Sequence, residues 1–200
     1  MNKLKNIRYL TRLALLVAVV LVMSYTPLGM VPIGPINASL LTIPVAVGAM
    51  TMGPLAGGIL GAAFGAASFM NAVEGKSALG MNLLAASPMG YFVEAVIGRI
   101  LCGVCCALIF MLVRRLSNHE KASCVVGALA CPLLNTLFYM GFMMLFFYHT
   151  DYIQSLAAGK GVANPFALVV AMVGVQGCVE AVVCCLVASA VTIPLRKILK

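Results

Sequence analysis

LALLVAVVLVMSYTPLGMVPIGPINASLLTIPVAVGAMTMGPLAGGILGAAFGAASFMNAV, residues 13–73, runs for 61 positions without one Asp, Glu, Lys or Arg. A bilayer-crossing helix needs roughly 20 apolar residues, so this stretch holds up to three. The rest of the chain follows the same rule. Of its 200 residues 63% are hydrophobic and 9% charged, against about 25% charged in a soluble domain. So few charges cannot cover the surface of a soluble fold, and so much apolar side chain cannot stay solvated as a disordered chain. The composition describes a polytopic membrane protein, a single integral domain over residues 1–200 with no room for a separate soluble one.

Apolar runs bounded by Gly/Pro clusters or charges predict six helices, at about 9–25, 36–52, 54–72, 90–115, 122–149 and 165–195. The fold class is therefore all-α with six transmembrane helices. Met52-Gly53-Pro54 reads as a tight turn, because proline is tolerated only at the start of the next helix. The last two segments exceed one span and are expected to tilt or to project from the membrane. The N-terminus imitates a signal peptide, yet Ser24-Tyr25-Thr26-Pro27 offers no small-x-small cleavage site, so a retained helix is expected.

The net charge of +8 raises the question of nucleic acid. Ten of the 13 basic residues fall in clusters at helix ends, Lys3/Lys5/Arg8/Arg12, Arg114/Arg115/Lys121 and Arg196/Lys197/Lys200, with no aromatic interleaving. That is the pattern of positive-inside anchors, not of a nucleic-acid groove. It puts both termini in the cytoplasm, with only Lys76 and Lys160 in outer loops.

Several motifs tempt and fail. Gly75-Lys76-Ser77 has the tail of a phosphate-binding loop, but Met70 stands where its opening glycine belongs. Cys102, Cys105, Cys106, Cys184 and Cys185 lie in apolar helices and read as inert small hydrophobes rather than redox or metal ligands. His119 and His149 fall on opposite sides of the membrane, so no zinc set forms. No cofactor or metal is expected, and no catalytic set stands at one depth, so the chain reads as a non-enzyme. Gly53, Gly57, Gly61 and Gly65 make a small-residue ridge for close helix packing, and Ala14-x-x-x-Ala18 does the same on a smaller scale.

Polar groups within spans are costly and mark functional sites. Here they are Glu94 and Arg99 on the fourth helix, Asn135 on the fifth, and Gln176 and Glu180 on the sixth. At 1.5 Å per residue, Arg99 lies roughly 13 Å from the outer helix end, Gln176 roughly 16 Å, Asn135 roughly 20 Å and Glu180 roughly 22 Å. They converge on a small polar pocket open to the outside, with the shallower Glu94 at its rim. A deeply placed guanidinium suits a planar carboxylate from a ligand. The alternative is that Arg99 and Glu180 neutralise each other.

The uncharged connection Pro27-Leu28-Gly29-Met30-Val31-Pro32-Ile33-Gly34-Pro35-Ile36 is stiff and non-helical, suited to lying over a cavity. With Ile43-Pro44-Val45, Gly53-Pro54-x-x-Gly57, Gly98-Arg99-Ile100-Leu101, Asn135-Thr136 and Gly177-x-x-Glu180-Ala181, it resembles the pantothenate-type branch of the substrate-binding (S) components of energy-coupling-factor (ECF) vitamin transporters. The departures are Gly98, where that branch has proline, and Gln176, where it has asparagine. The resemblance implies a high-affinity binder of a water-soluble vitamin, pantothenate or a similar small carboxylate, in the prokaryotic plasma membrane. It implies partners on other chains, a membrane coupling subunit and two cytoplasmic ATPases, with docking through Ala14 and Ala18. The rival expectation is a stand-alone permease coupled to protons through Glu180.

Overall fold

A computed structural model describes residues 7–26, 29–33, 36–117, 119–162 and 164–198. The chain is almost wholly helical, with one short β-hairpin. Its elements are α1 (Ile7–Tyr25), β1 (Met30–Ile33), β2 (Ile36–Ser39), α2 (Thr42–Met52), α3 (Pro54–Val73), α4 (Ala78–Ala86), α5 (Pro88–Phe92), α6 (Gly98–Ser117), α7 (Glu120–Phe147), α8 (Asp151–Gly159) and α9 (Pro165–Ile198). A π-turn at Val93–Ile97 joins α5 to α6 without a break in direction. Among the described residues, five helical stretches are long and apolar enough to cross a membrane: 7–25, 54–73, 88–117, 120–147 and 177–198.

The expected second helix, 36–52, is corrected. Residues 36–39 pair antiparallel with 30–33, Met30 opposite Ser39 and Ile33 opposite Ile36, and the helix starts only at Thr42. Pro44 is the physical reason. It has no N–H to give Leu40, and its ring would strike that carbonyl, so the helix cannot reach further back than its own first turn. Eleven residues rise only about 16 Å. α2 is too short to cross a bilayer and is instead enclosed, with Thr42 and 44–50 all buried.

Gly53 adopts φ 96°, ending α2 and opening α3 with Pro54 in its first turn. It is therefore a turn residue, and the packing ridge starts at Gly57. A Cβ at Gly57 would strike the carbonyl of Gly103, one at Gly61 that of Arg99, and one at Gly65 that of Ala95. α3 and α6 thus cross backbone to backbone, which positions Arg99 against α3.

The connections expected as plain loops carry structure: α4 and α5 between α3 and α6, and α8 between α7 and α9. The last expected helix, 165–195, is continuous only in outline. Gly174, at φ 28° and ψ −125°, breaks it. Lys160 Nζ donates to the Ala171 carbonyl at 3.3 Å, in the turn that precedes the break.

Two apolar clusters fill the interior. One, around Leu41, Met50, Leu60, Phe110, Cys106, Cys131 and Cys184, lies toward the basic ends of the helices. The other, around Leu83, Tyr91, Met143, Phe147, Ile153 and Leu168, lies toward the hairpin, α4 and α8. The cysteines are free and serve as packing and weak donors: Cys102 Sγ donates to the Cys131 carbonyl at 3.3 Å and Cys106 Sγ to that of Gly127 at 3.4 Å.

Candidate functional site

At the hairpin end the helices part around a cavity of about 340 Å³. Its wall takes Ser39 from the hairpin, Phe64, Ser68 and Asn71 from α3, and Lys76 to Leu79 from the loop and start of α4. It is completed by Tyr91, Arg99, Asn135, Thr136, Tyr139, Met140, Val173, Gly177 and Glu180. Of the five residues expected to line a pocket, Arg99, Asn135 and Glu180 come together here. The side chain of Gln176 lies outside the described residues, as do Pro27, Leu28, Gly34 and Pro35 of the first connection.

Glu94 is a correction. It is 0% exposed and does not line the cavity. Counting residues from the expected helix end put it near a rim, but the span continues through the π-turn into α5, and Tyr91 and α4 lie over that level. Both carboxylate oxygens of Glu94 lack a hydrogen-bond partner among the described residues.

Arg99 is 9% exposed. Its side chain folds back over the π-turn, where Nη1 donates to the carbonyls of Glu94 at 3.3 Å and Ala95 at 3.1 Å. The guanidinium carbon lies 4.7 Å from the ring centre of Phe64 and 5.2 Å from that of Tyr139. A π-turn misaligns local carbonyls from the α-helical ladder, and such turns cluster at functional sites. Here it supplies the acceptors that aim the arginine. The two aromatic rings hold the planar cation by charge–quadrupole attraction. Nε has no partner among the described residues. Arg99 forms no ion pair with Glu180; among the described residues the ion pairs are Lys76–Glu74 and Arg196–Glu120.

Glu180 is 5% exposed. Oε2 accepts from the backbone N–H of Ser39 at 3.4 Å, tying α9 to the foot of the hairpin. Oε1 is buried without a partner among the described residues. Val173 and Gly177 flank the Gly174 break and both line the cavity. Non-helical backbone at membrane depth is tolerated where it lines such a space.

Sequence reasoning missed Ser39, Ser68, Asn71, Lys76, Tyr91 and Tyr139 in this wall. Ser68 and Asn71 were visible as the polar residues that interrupt the apolar face of α3, four and seven positions after Phe64. Tyr91 and Tyr139 carried no signal, because an aromatic at helical spacing reads as core.

The cavity holds one deep cation, a facing carboxylate, hydroxyls, amides and aromatic faces. It has the makings of a binding pocket for a small polar anion rather than of a reaction centre. No curated protein matches the chain. The model of one protein family, described as "ECF transporter, substrate-specific component", matches residues 8–192. Nearly the whole helical bundle, with every described wall residue of the cavity, falls inside that match, and the chain belongs to this family: it is a multi-pass membrane protein, the substrate-specific subunit of an ECF transporter.

Proposed function

We propose that the chain captures pantothenate, or a small carboxylate of similar shape, and delivers it to an ECF module in the prokaryotic plasma membrane. The observation that carries this reading is Arg99. It is a buried guanidinium set against two rings, hydrogen-bonded to carbonyls and to no carboxylate among the described residues, in the wall of a cavity of vitamin size. A buried guanidinium with no carboxylate hydrogen-bonded to it keeps part of its desolvation cost, and a bidentate carboxylate from the ligand offsets that cost. Asn135 and Glu180 take the polar remainder of the ligand, and Gln176 lies on the same turn of α9. Glu94, fully buried and not in the wall, is expected to act on the ligand through its neighbours rather than by contact.

In this reading the chain performs no chemistry. Energy comes from two cytoplasmic ATPases through a membrane coupling subunit, which docks on α1 at Ala14 and Ala18. Support for that face comes from exposure: Ala14 and Ala18 are both exposed along α1, while Leu13 and Val20 turn inward. Two small residues one turn apart, free of intramolecular packing, permit a close helix crossing. The basic helix ends near this pair are cytoplasmic by charge, and the cavity opens on the other side.

Calorimetry on the purified chain, without ATP or partners, tests the proposal. Pantothenate should bind the isolated subunit tightly, because all of the pocket groups belong to this chain. Heat from a different water-soluble vitamin, and none from pantothenate, would overturn the substrate. Uptake that follows a proton gradient and ignores ATP would restore the stand-alone permease.

A further inference from the structure

We infer that Ser68 and Asn71 on α3 form a second recognition pole of the cavity, one that reads a neutral hydroxyl at a set distance from the ligand's carboxylate. This rests on the proposed function and adds two residues and a length to it.

The orientation of Asn71 is decided by a neighbour. Its Nδ2 donates to the Ser24 carbonyl at the end of α1, at 3.3 Å. A carbonyl accepts only from the amide NH₂, so the amide cannot flip and Oδ1 is committed to accepting. Asn71 is 3% exposed, lines the cavity, and Oδ1 has no donor among the described residues. Ser68 stands one turn earlier on the same face. It too lines the cavity, and its Oγ is buried without a partner among the described residues. A buried acceptor and a buried hydroxyl three positions apart on one helix face are left unsatisfied among the described residues, at a real cost. A hydroxyl on the ligand satisfies both, donating to Asn71 Oδ1 and accepting from Ser68 Oγ. A second carboxylate would be repelled by Oδ1, and a plain hydrocarbon would leave both atoms orphaned.

The separation from Arg99 follows from the helix. The guanidinium lies over the ring of Phe64, and Phe64, Ser68 and Asn71 share one face of α3. Ser68 is four residues and Asn71 seven residues further along, roughly 6 Å and 10 Å of rise. The ligand class is therefore an extended monocarboxylate carrying a hydroxyl about 6–10 Å from the carboxyl carbon, or about five to eight bonds.

The test compares two probes on the purified full chain. One is pantothenate. The other is N-(3,3-dimethylbutanoyl)-β-alanine, which keeps the carboxylate, the amide and the branched carbon but has hydrogen in place of both hydroxyls. Wild type should bind the second probe about tenfold to a hundredfold more weakly, the loss that follows when a site's buried polar groups go unpaired. In Asn71→Ala the advantage of pantothenate should shrink to under about threefold, with the affinity of the deoxy probe unchanged. Ser68→Ala should reduce the same advantage, and because it spares the Asn71–Ser24 link it serves even where Asn71→Ala does not fold. Equal affinity of wild type for both probes, or equal weakening of both by the substitutions, overturns the second pole and leaves the vitamin reading standing. A wild-type chain that binds neither probe removes the pantothenate reading itself, and this pole with it.

Discussion

Two arginines, Arg99 buried and Arg196 part-buried, lie against aromatic rings at levels of the bundle roughly 16 Å apart along α6. Arg196 lies over Phe110 at 4.7 Å and Arg99 over Phe64 at the same distance. Their partners differ. Arg196 gives Nε to the Glu120 carboxylate at 2.8 Å and Nη1 to the Met50 carbonyl, so it fastens α9 to α7 and to the end of α2. Arg99 gives hydrogen bonds only to backbone carbonyls of its own π-turn, and its Nε has no partner among the described residues. The first arginine completes its electrostatics inside the protein. The second makes no hydrogen bond to a carboxylate among the described residues, and on the proposed reading an incoming anion supplies one. A cation bonded to a carboxylate of its own is a structural clamp, whereas one that gives its hydrogen bonds to carbonyls alone has the character of a receptor.

The largest effect that this contrast predicts is on Arg99. Arg99→Ala should weaken pantothenate binding by about 2–5 kcal/mol, the scale for truncating one partner of a buried charged pair. Arg99→Lys should recover only part, since an ammonium lacks the guanidinium fork. The unliganded melting temperature should hold or rise, because an unpaired buried charge is removed. Normal binding by Arg99→Ala would make the two arginines equivalent and both structural.

Arg196 should behave in the opposite sense. Arg196→Met is expected to lower stability by about 1–3 kcal/mol, the range for lost hydrogen bonds to charged groups with one partner part-exposed. Melting temperature would report it, and pantothenate affinity should remain that of wild type. A parallel fall in affinity would show that the basic end of the bundle is coupled to the cavity, and the comparison between clamp and receptor would fail.

The smallest effect on the isolated subunit belongs to Ala14 and Ala18. Ala14→Trp and Ala18→Trp add bulk to an exposed face of α1, so affinity and stability should stay within about 0.5 kcal/mol of wild type. ATP-dependent uptake and assembly with the coupling subunit should be lost. Uptake that persists in both variants removes α1 as the docking face.

How much of this was legible before folding differs from residue to residue. Arg99, Asn135 and Glu180 stand out in the sequence because a polar group in an apolar span has no cheap reason to be there. The Gly57/Gly61/Gly65 ridge was legible on the same footing, since residues four apart on a helix share a face. Pro44 held the correct start of α2, but the apolar run around it outweighed a single residue. Glu94 was misplaced because depth was counted along an assumed helix end, and the π-turn with α5 extends that helix beyond it. Asn71 was legible as a polar break in the apolar face of α3, but the way its amide turns was not, since that depends on the Ser24 carbonyl 47 positions earlier in the chain.

The sequence alone determined the solvent of this protein, its helical class, its basic helix ends and which side chains are too polar for a bilayer. These follow from composition and from periods of a few residues, which are local properties. The tertiary structure decided which polar groups meet. It turned one arginine toward a carboxylate and the other back onto its own π-turn beside the cavity, laid a hairpin against Glu180, and brought Asn71 into the wall of the same cavity. Such pairings are set by helix crossings and backbone breaks between distant segments. A linear reading counts residues along each helix and does not contain the distances between them.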